Sequence, residues 1–214
     1  MKINESEHIK INEAKWDKWA ATVDGKSKRY DYLRSVQMSV IALMDLKDNI
    51  SILDIGCGTG FALGQVAKRV NGKGLFTGID LSEKMIEKAK ENFKGKENFQ
   101  FLKANAEKIP LENNRYDIIL CTNSFHHYLH QDNALKEMYR LLKPGGNLFL
   151  VDPTVDNWLI RVISRSRHLF GRDKVTFNTS KEFGQLMTAA GFKYLEPQKI
   201  VYHQKVQIGK KLMS

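Results

Sequence analysis

Cysteine is scarce in this chain of 214 residues: only Cys57 and Cys121 occur, each inside an apolar segment and neither in a CxxC or Cys/His spacing. That excludes a disulfide-stapled framework and a sequence-local zinc site, and it leaves both thiols as reduced core residues. Long apolar runs are missing too. No stretch reaches the roughly 18 residues that cross a bilayer, and the polar start, residues 1–10, has no signal-peptide apolar core. The expectation is a cytoplasmic chain without a membrane span. Proline is limited to four residues that mark breaks rather than a linker, and no repeat or low-complexity segment occurs. Although the net charge is +10, no long block of like charges carries it. Charge dispersed in this way describes a lysine-rich solvated surface, with nucleic acid kept as a secondary candidate partner.

What is present is a globular composition, 42% hydrophobic and 27% charged, which excludes a disordered or fibrous chain. The length suits one domain. Apolar residues recur at helical spacing over 14–21 and 28–44, with Tyr32, Leu33, Val36, Val40, Ile41 and Met44 on one face. From residue 50 a strand-and-helix alternation begins: strands over 50–55, 74–79, 99–103, 116–122 and 147–152, and helices over 61–70, 82–93 and 132–142. Lys143-Pro144-Gly145-Gly146 stops the last of these helices. Such alternation predicts an α/β, doubly wound, mostly parallel sheet with helices on both faces. A helix over 180–190 closed by Gly191 then leads into strands over 192–202 and 205–212, whose short connection requires an antiparallel pair.

The chemistry concentrates in Asp54-Ile55-Gly56-Cys57-Gly58-Thr59-Gly60, where the first strand feeds the first helix of the alternation. Glycines there let the chain turn sharply and let a ligand lie against bare main chain. Asp80 ends the second strand, where a carboxylate can accept from both hydroxyls of a ribose. A nicotinamide or flavin dinucleotide is the rival ligand, but its fingerprint is G-x-G-x-x-G and Phe61 holds the place of its last glycine. Asp54 would also repel a diphosphate. A ligand with a cationic amino group and no phosphate suits the loop better.

Residues 53–60 resemble the first motif of the class I S-adenosylmethionine-dependent methyltransferases. Gly78-Ile79-Asp80-Leu81-Ser82, with Met85, resembles that family's second motif, and Ala104-Asn105-Ala106-Glu107-Lys108-Ile109-Pro110 its third, with Asn105 in place of the usual aspartate. Tyr116 to Thr122 is similar to the fourth-strand motif, and Leu141 to Gly146 to the loop before the fifth strand. The likeness spans roughly 50–152, with a weaker echo over 179–192, and rests on order and spacing.

The resemblance implies a Rossmann-like sheet of order 3-2-1-4-5-7-6 with strand 7 antiparallel. It implies S-adenosylmethionine as cofactor, which becomes S-adenosylhomocysteine. It also implies cofactor contacts from Asp54, Gly56, Cys57, Gly58 and Gly60, from Asp80, Leu81 and Met85, from Asn105, Ala106 and Glu107, and from Thr122 and Asn123 at the methionine end. In this reading Asp54 organises the glycine loop and the cofactor's amino group. The single domain 1–214 then divides into an N-terminal helical cap (1–46), a cofactor-binding core (50–152), a substrate-lid insert (153–179) and closing elements (180–214).

His127, ahead of His126, is the candidate general base for a hydroxyl or thiol acceptor. No metal is expected, since adjacent histidines diverge and no third ligand is evident. Trp16, Trp19 and Tyr30, together with the segment from Trp158 to Phe170, are lid candidates, and Arg161, Arg165 and Arg167 suit an anionic substrate. The expected activity is methyl transfer to a small or medium-sized metabolite at O, N or C. RNA methylation, a dinucleotide-dependent oxidoreductase and a non-catalytic cofactor-binding module are the alternatives.

Overall fold

Along β1 (Ile50–Ile55) every residue is buried, as a strand covered on both faces must be. Its side chains alternate between two cores: Ile50 and Ile52 pack with Val40 and Val66 on one face, while Leu53 and Ile55 pack with Leu135 and Phe183 on the other. The computed structural model describes residues 4–22, 28–156 and 175–213. The expected lid residues from Trp158 to Phe170, with Arg161, Arg165 and Arg167, lie outside them.

In chain order the elements are α1 (Glu5–Ala20), α2 (Lys28–Ala42), β1, α3 (Phe61–Arg69), β2 (Gly74–Asp80), α4 (Glu83–Asn92), β3 (Phe99–Lys103) and β4 (Tyr116–Thr122). A 3-10 turn (Phe125–His127) precedes α5 (Gln131–Leu141), β5 (Leu142–Val151), α6 (Ser180–Ala189), β6 (Lys193–Lys199) and β7 (Lys205–Lys210). The seven strands form one sheet in the order β3-β2-β1-β4-β5-β7-β6. β7 runs antiparallel to β5 and β6, and the other pairs are parallel. Fold class and strand order are those the sequence implied. Helices α2, α3 and α4 cover one face, and α5 and α6 the other.

Two boundaries differ from expectation by five residues or more. β5 begins at Leu142, not at 147: Leu142 pairs with Tyr116, and the register then jumps so that Ile118 faces Asn147. Pro144 has no N–H for a ladder, so the bulge carries it, while Gly145 N–H donates to Lys211 O at 2.8 Å and Lys211 N–H to Gly146 O at 3.0 Å. α1 begins at Glu5 rather than 14, started by the Asn4 side chain, which accepts from Glu7 N–H. Its buried residues include His8 and Asn12, a polar inner face that apolar periodicity cannot register. α1 is tied to the sheet by Asp17, which accepts from the Ser82 hydroxyl at the start of α4, and by Glu13, which pairs with Lys103. No helix among the described residues is long and apolar enough to cross a membrane.

Candidate functional site

Parallel strands all end on one side of the sheet, and the crevice there is where such folds hold ligands. In this protein the crevice is roofed by α1 and α2, which makes a cavity of about 360 Å³ at the ends of β1, β2 and β4. Of the glycine-loop residues, Gly56, Cys57, Gly58 and Thr59 line it. Gly56 has φ +75°, and a Cβ there would lie 2.6 Å from the Ser124 hydroxyl, so the loop approaches β4 as bare main chain. Gly60 stands apart from the cavity. It precedes α3 with φ +82° and packs under Phe93 and Phe101, a helix-packing role.

Asp80 lines the cavity and organises the loop: its Oδ2 accepts from Gly58 N–H and its Oδ1 from Ser82 N–H, both at 2.9 Å. A carboxylate offers about four lone-pair directions, so with the Leu81 N–H also directed at it one remains for a further donor. Burial pushes Asp80 above the usual carboxylate range, against the pull of the Ser82, Gly58 and Leu81 backbone N–H groups. Organising the loop was expected of Asp54, and it is Asp80 that makes the hydrogen bond. Asp54 lies beneath the loop with no exposed surface, and neither of its oxygens has a partner among the described residues. Burial first, then the charge of Asp80, pushes Asp54 up to about 8.

The second wall holds Leu81, Met85, Asn105, Ala106 and Glu107. Met85 packs with Ala20, Trp19 and Tyr30, which brings the expected lid aromatics onto this wall. Asn105 Oδ1 accepts from Glu107 N–H at 3.0 Å, and Glu107 Oε1 from Leu129 N–H at 2.7 Å. Asn105 thus lines the cavity with its amide oxygen already holding one donor and a second lone pair left over.

At the end of β4, Thr122 Oγ1 accepts from Gln37 Nε2 at 3.2 Å, and Asn123 just past it turns the chain at φ +52°. Both histidines line the cavity, in very different surroundings. His127 is driven down to about 2 by burial first and then by His126, Lys15, His8 and Arg29, so it is a neutral ring with little appetite for a proton. Its edge meets Trp16, with ring centroids 4.8 Å apart. His126 instead has a carboxylate, Asp152 Oδ1, 2.8 Å from its Nδ1. The sequence, which set His127 ahead of His126, carries no sign of this difference in surroundings. Sequence reading missed His8, Asn12, Gln37 and Phe177, all on the cavity wall, and Asp152 behind it. No motif or apolar period marks them.

A family model described as a methyltransferase domain matches residues 46–191. The chain belongs to the S-adenosylmethionine-dependent methyltransferases. It is 25% identical to a SAM-dependent methyltransferase from Aquifex aeolicus, whose structure superposes with a TM-score of 0.71 over 92% of this chain and 98% of that one. It is also 30% identical to demethylmenaquinone methyltransferase of Staphylococcus epidermidis, over 63% of this chain and 60% of that one. A third relative is the malonyl-[acyl-carrier protein] O-methyltransferase of Marinomonas sp., 32% identical over 72% of this chain and 57% of its own length. The methyltransferase chain thus spans less than two thirds of the length of both of these curated relatives.

The residues fit the family's cofactor. A carboxylate at the end of β2 that holds the glycine loop and keeps room for a further donor suits the sugar of a nucleoside. Buried, partnerless Asp54 oxygens beneath the loop suit its cationic amino group. Among the described residues no group of three or more His, Cys, Asp or Glu gathers to hold a metal ion.

Proposed function

We propose that this methyltransferase moves the methyl group of S-adenosylmethionine to a small or medium-sized metabolite held under α1 and α2. The observation that carries the reading is one roofed cavity in which the glycine loop and Asp80 share walls with His126, Trp16, Tyr32 and Phe177. Its volume lies within the range of about 300–1,000 Å³ that small-molecule sites occupy. A base inside an RNA or DNA duplex reaches such a recess only by being flipped out of its stack, which makes nucleic acid the less economical acceptor. The relatives named for demethylmenaquinone and for a malonyl group support a small acceptor.

In this reading Asp80 holds the ribose, with Leu81 and Met85 against the adenine. Asn105, Ala106 and Glu107 line the adenine edge, and Thr122, Asn123 and the Gly56-Cys57-Gly58 main chain surround the methionine end. When bound, the cofactor supplies a sulfonium methyl that is electrophilic without further activation. The chain's own work is then to exclude water and align the acceptor, and positioning of this kind supplies roughly 7–11 kcal/mol of a barrier. His126 is the candidate to take the acceptor's proton, since His127 stays neutral down to low pH.

Calorimetry with S-adenosylhomocysteine and with NADH tests the reading. The homocysteine nucleoside is expected to bind and NADH to give no heat; the reverse pattern would overturn the assignment. Turnover of labelled S-adenosylmethionine against a metabolite panel and against RNA then separates an enzyme from a binder and a small acceptor from a polymer.

Asp54 gives the same titration a second readout. With its folded pKa raised to about 8, the ligand-free protein keeps at neutral pH a proton that the unfolded chain releases above roughly pH 4. Stability from this group is therefore highest at low pH and falls as pH rises through that window. A cationic amino group beside Asp54 favours the anion, so binding near pH 7 is expected to release up to about one proton. This shows as a heat that depends on buffer ionisation enthalpy. Asp54→Asn is expected to abolish the dependence, and a buffer-independent heat in the native protein would remove Asp54 from the site.

A further inference from the structure

At the end of β5 stands a fully buried carboxylate that the preceding assignment does not use. Asp152 has no exposed surface, its Oδ1 lies 2.8 Å from His126 Nδ1, and its Oδ2 has no partner among the described residues. His126 sits between that carboxylate and the cavity, with the Phe177 ring stacked on it at 5.0 Å and the His127 ring 3.9 Å away. We propose that Asp152 is a positioning residue that holds the His126 proton on Nδ1, so that Nε2 meets the methyl acceptor as a proton-accepting lone pair.

The inference rests on the methyl-transfer reading and adds to it where the proton goes. Two arrangements with a neutral ring satisfy the 2.8 Å contact. If the carboxylate is ionised, Nδ1–H donates to it and Nε2 carries the lone pair. If the carboxyl is protonated, it donates to Nδ1 and Nε2–H faces the cavity as a donor. Imidazole is the stronger base of the two by more than two pH units in water, which favours the ionised form. Burial works against the anion, while the His126 ring and the backbone N–H groups of Phe125 and His126 favour it. A carboxylate that fixes the tautomer and orientation of a histidine is the same device as the buried aspartate of a hydrolase triad.

The step then balances. The acceptor's O–H bond breaks and its proton goes to Nε2, which leaves an imidazolium bonded through Nδ1–H to Asp152. The freed oxygen pair forms the bond to the methyl carbon while the sulfur–methyl pair returns to sulfur, and the thioether product remains. An amine that is already neutral needs no such group, so the arrangement suits an acceptor that still carries its proton, such as a hydroxyl.

The experiment uses the full chain, labelled with 15N-histidine and saturated with S-adenosylhomocysteine, and reads the His126 tautomer from its ring nitrogen shifts above the titration range. Protonated Nδ1 and bare Nε2 are expected. In Asp152→Asn the amide can donate to Nδ1, and the tautomer ratio is expected to fall about tenfold or more, the weight of one charge-assisted hydrogen bond. Affinity for S-adenosylhomocysteine should stay within about twofold, because Asp152 lies off the cavity wall. A native protein with Nε2–H overturns the proposal without any variant. So does a variant whose tautomer is unchanged while melting temperature and affinity fall, the signature of a mere brace. Loss of binding in the native chain would instead strike the methyl-transfer reading.

Discussion

Asp80→Ala is expected to lower affinity for S-adenosylhomocysteine by about 2–4 kcal/mol, roughly 30- to 1,000-fold. The effect has two sources. The ribose loses its acceptor, and the cradle loses its own organiser, since Asp80 holds Gly58 N–H and Ser82 N–H at 2.9 Å in the ligand-free protein. Asp80→Asn keeps one oxygen and exchanges the other for a donor, so it should fall between native and alanine. The substitution also has a signature inside the site: the charge of Asp80 is a secondary cause of the high Asp54 pKa, after burial. Removing it lets Asp54 ionise at lower pH, and the proton released on binding near pH 7 is expected to shrink. Calorimetry reads both quantities in one series, and native-like affinity in the alanine variant would take the ribose role from Asp80.

Much of the sheet was legible because strands such as β1 and β2 are apolar runs set off by glycine. Strand β1 has all six positions buried, and four of them are Ile or Leu, as a strand covered on both faces tends to read; Ser51 and Asp54 are the polar exceptions. The short link between β6 and β7 forced an antiparallel pair by length alone. What escaped has polar causes. The first half of α1 turns His8 and Asn12 inward, where the single ring nitrogen His8 Nε2 lies 2.9 Å from Asn12 Nδ2 and 3.0 Å from the His127 carbonyl, and its tautomer selects which of the two it bonds. An inner face made of histidine and asparagine reads as an outer face in sequence. Leu142 belongs to β5 because a bulge carries Pro144, and a bulge has no apolar period.

The site divides in the same way. Residues bound to the main-chain path, the glycines and Asp80 at a strand end, follow from spacing, because the turn geometry they serve is local. Roles that depend on what packs behind a side chain do not. Nothing in Phe125-His126-His127 tells which ring gains a carboxylate and which is shut in beside Trp16, and that distinction decides which can accept a proton. The function assigned to Asp54 needed the same information, since its neighbour on β2 turns out to hold the loop.

Gly56→Ala should be the most damaging one-methyl change in the cradle. The residue has φ +75°, which costs an L-residue about 1–2 kcal/mol. Its new Cβ would also stand 2.6 Å from Ser124 Oγ and 2.7 Å from Ser124 Cβ. Ser124 has little room to yield, because its hydroxyl is bonded to Ile55 O at 3.2 Å and to the Tyr128 hydroxyl at 3.0 Å. Overpacking of this kind adds about 1–3 kcal/mol, for a total near 2–5 kcal/mol in urea unfolding. Two companions separate the terms. Gly58→Ala has φ +52° and nothing within 4 Å of its Cβ, so it should lose only the backbone part. Gly56→Ala with Ser124→Gly, measured against Ser124→Gly alone to cancel the lost Ser124 hydrogen bonds, should recover the steric part and keep the backbone part. If Gly56→Ala costs as much in the Ser124→Gly background as in the native one, contact with Ser124 is not what keeps position 56 a glycine, and the close approach of β1 to β4 that shapes the cavity wall is looser than its geometry implies.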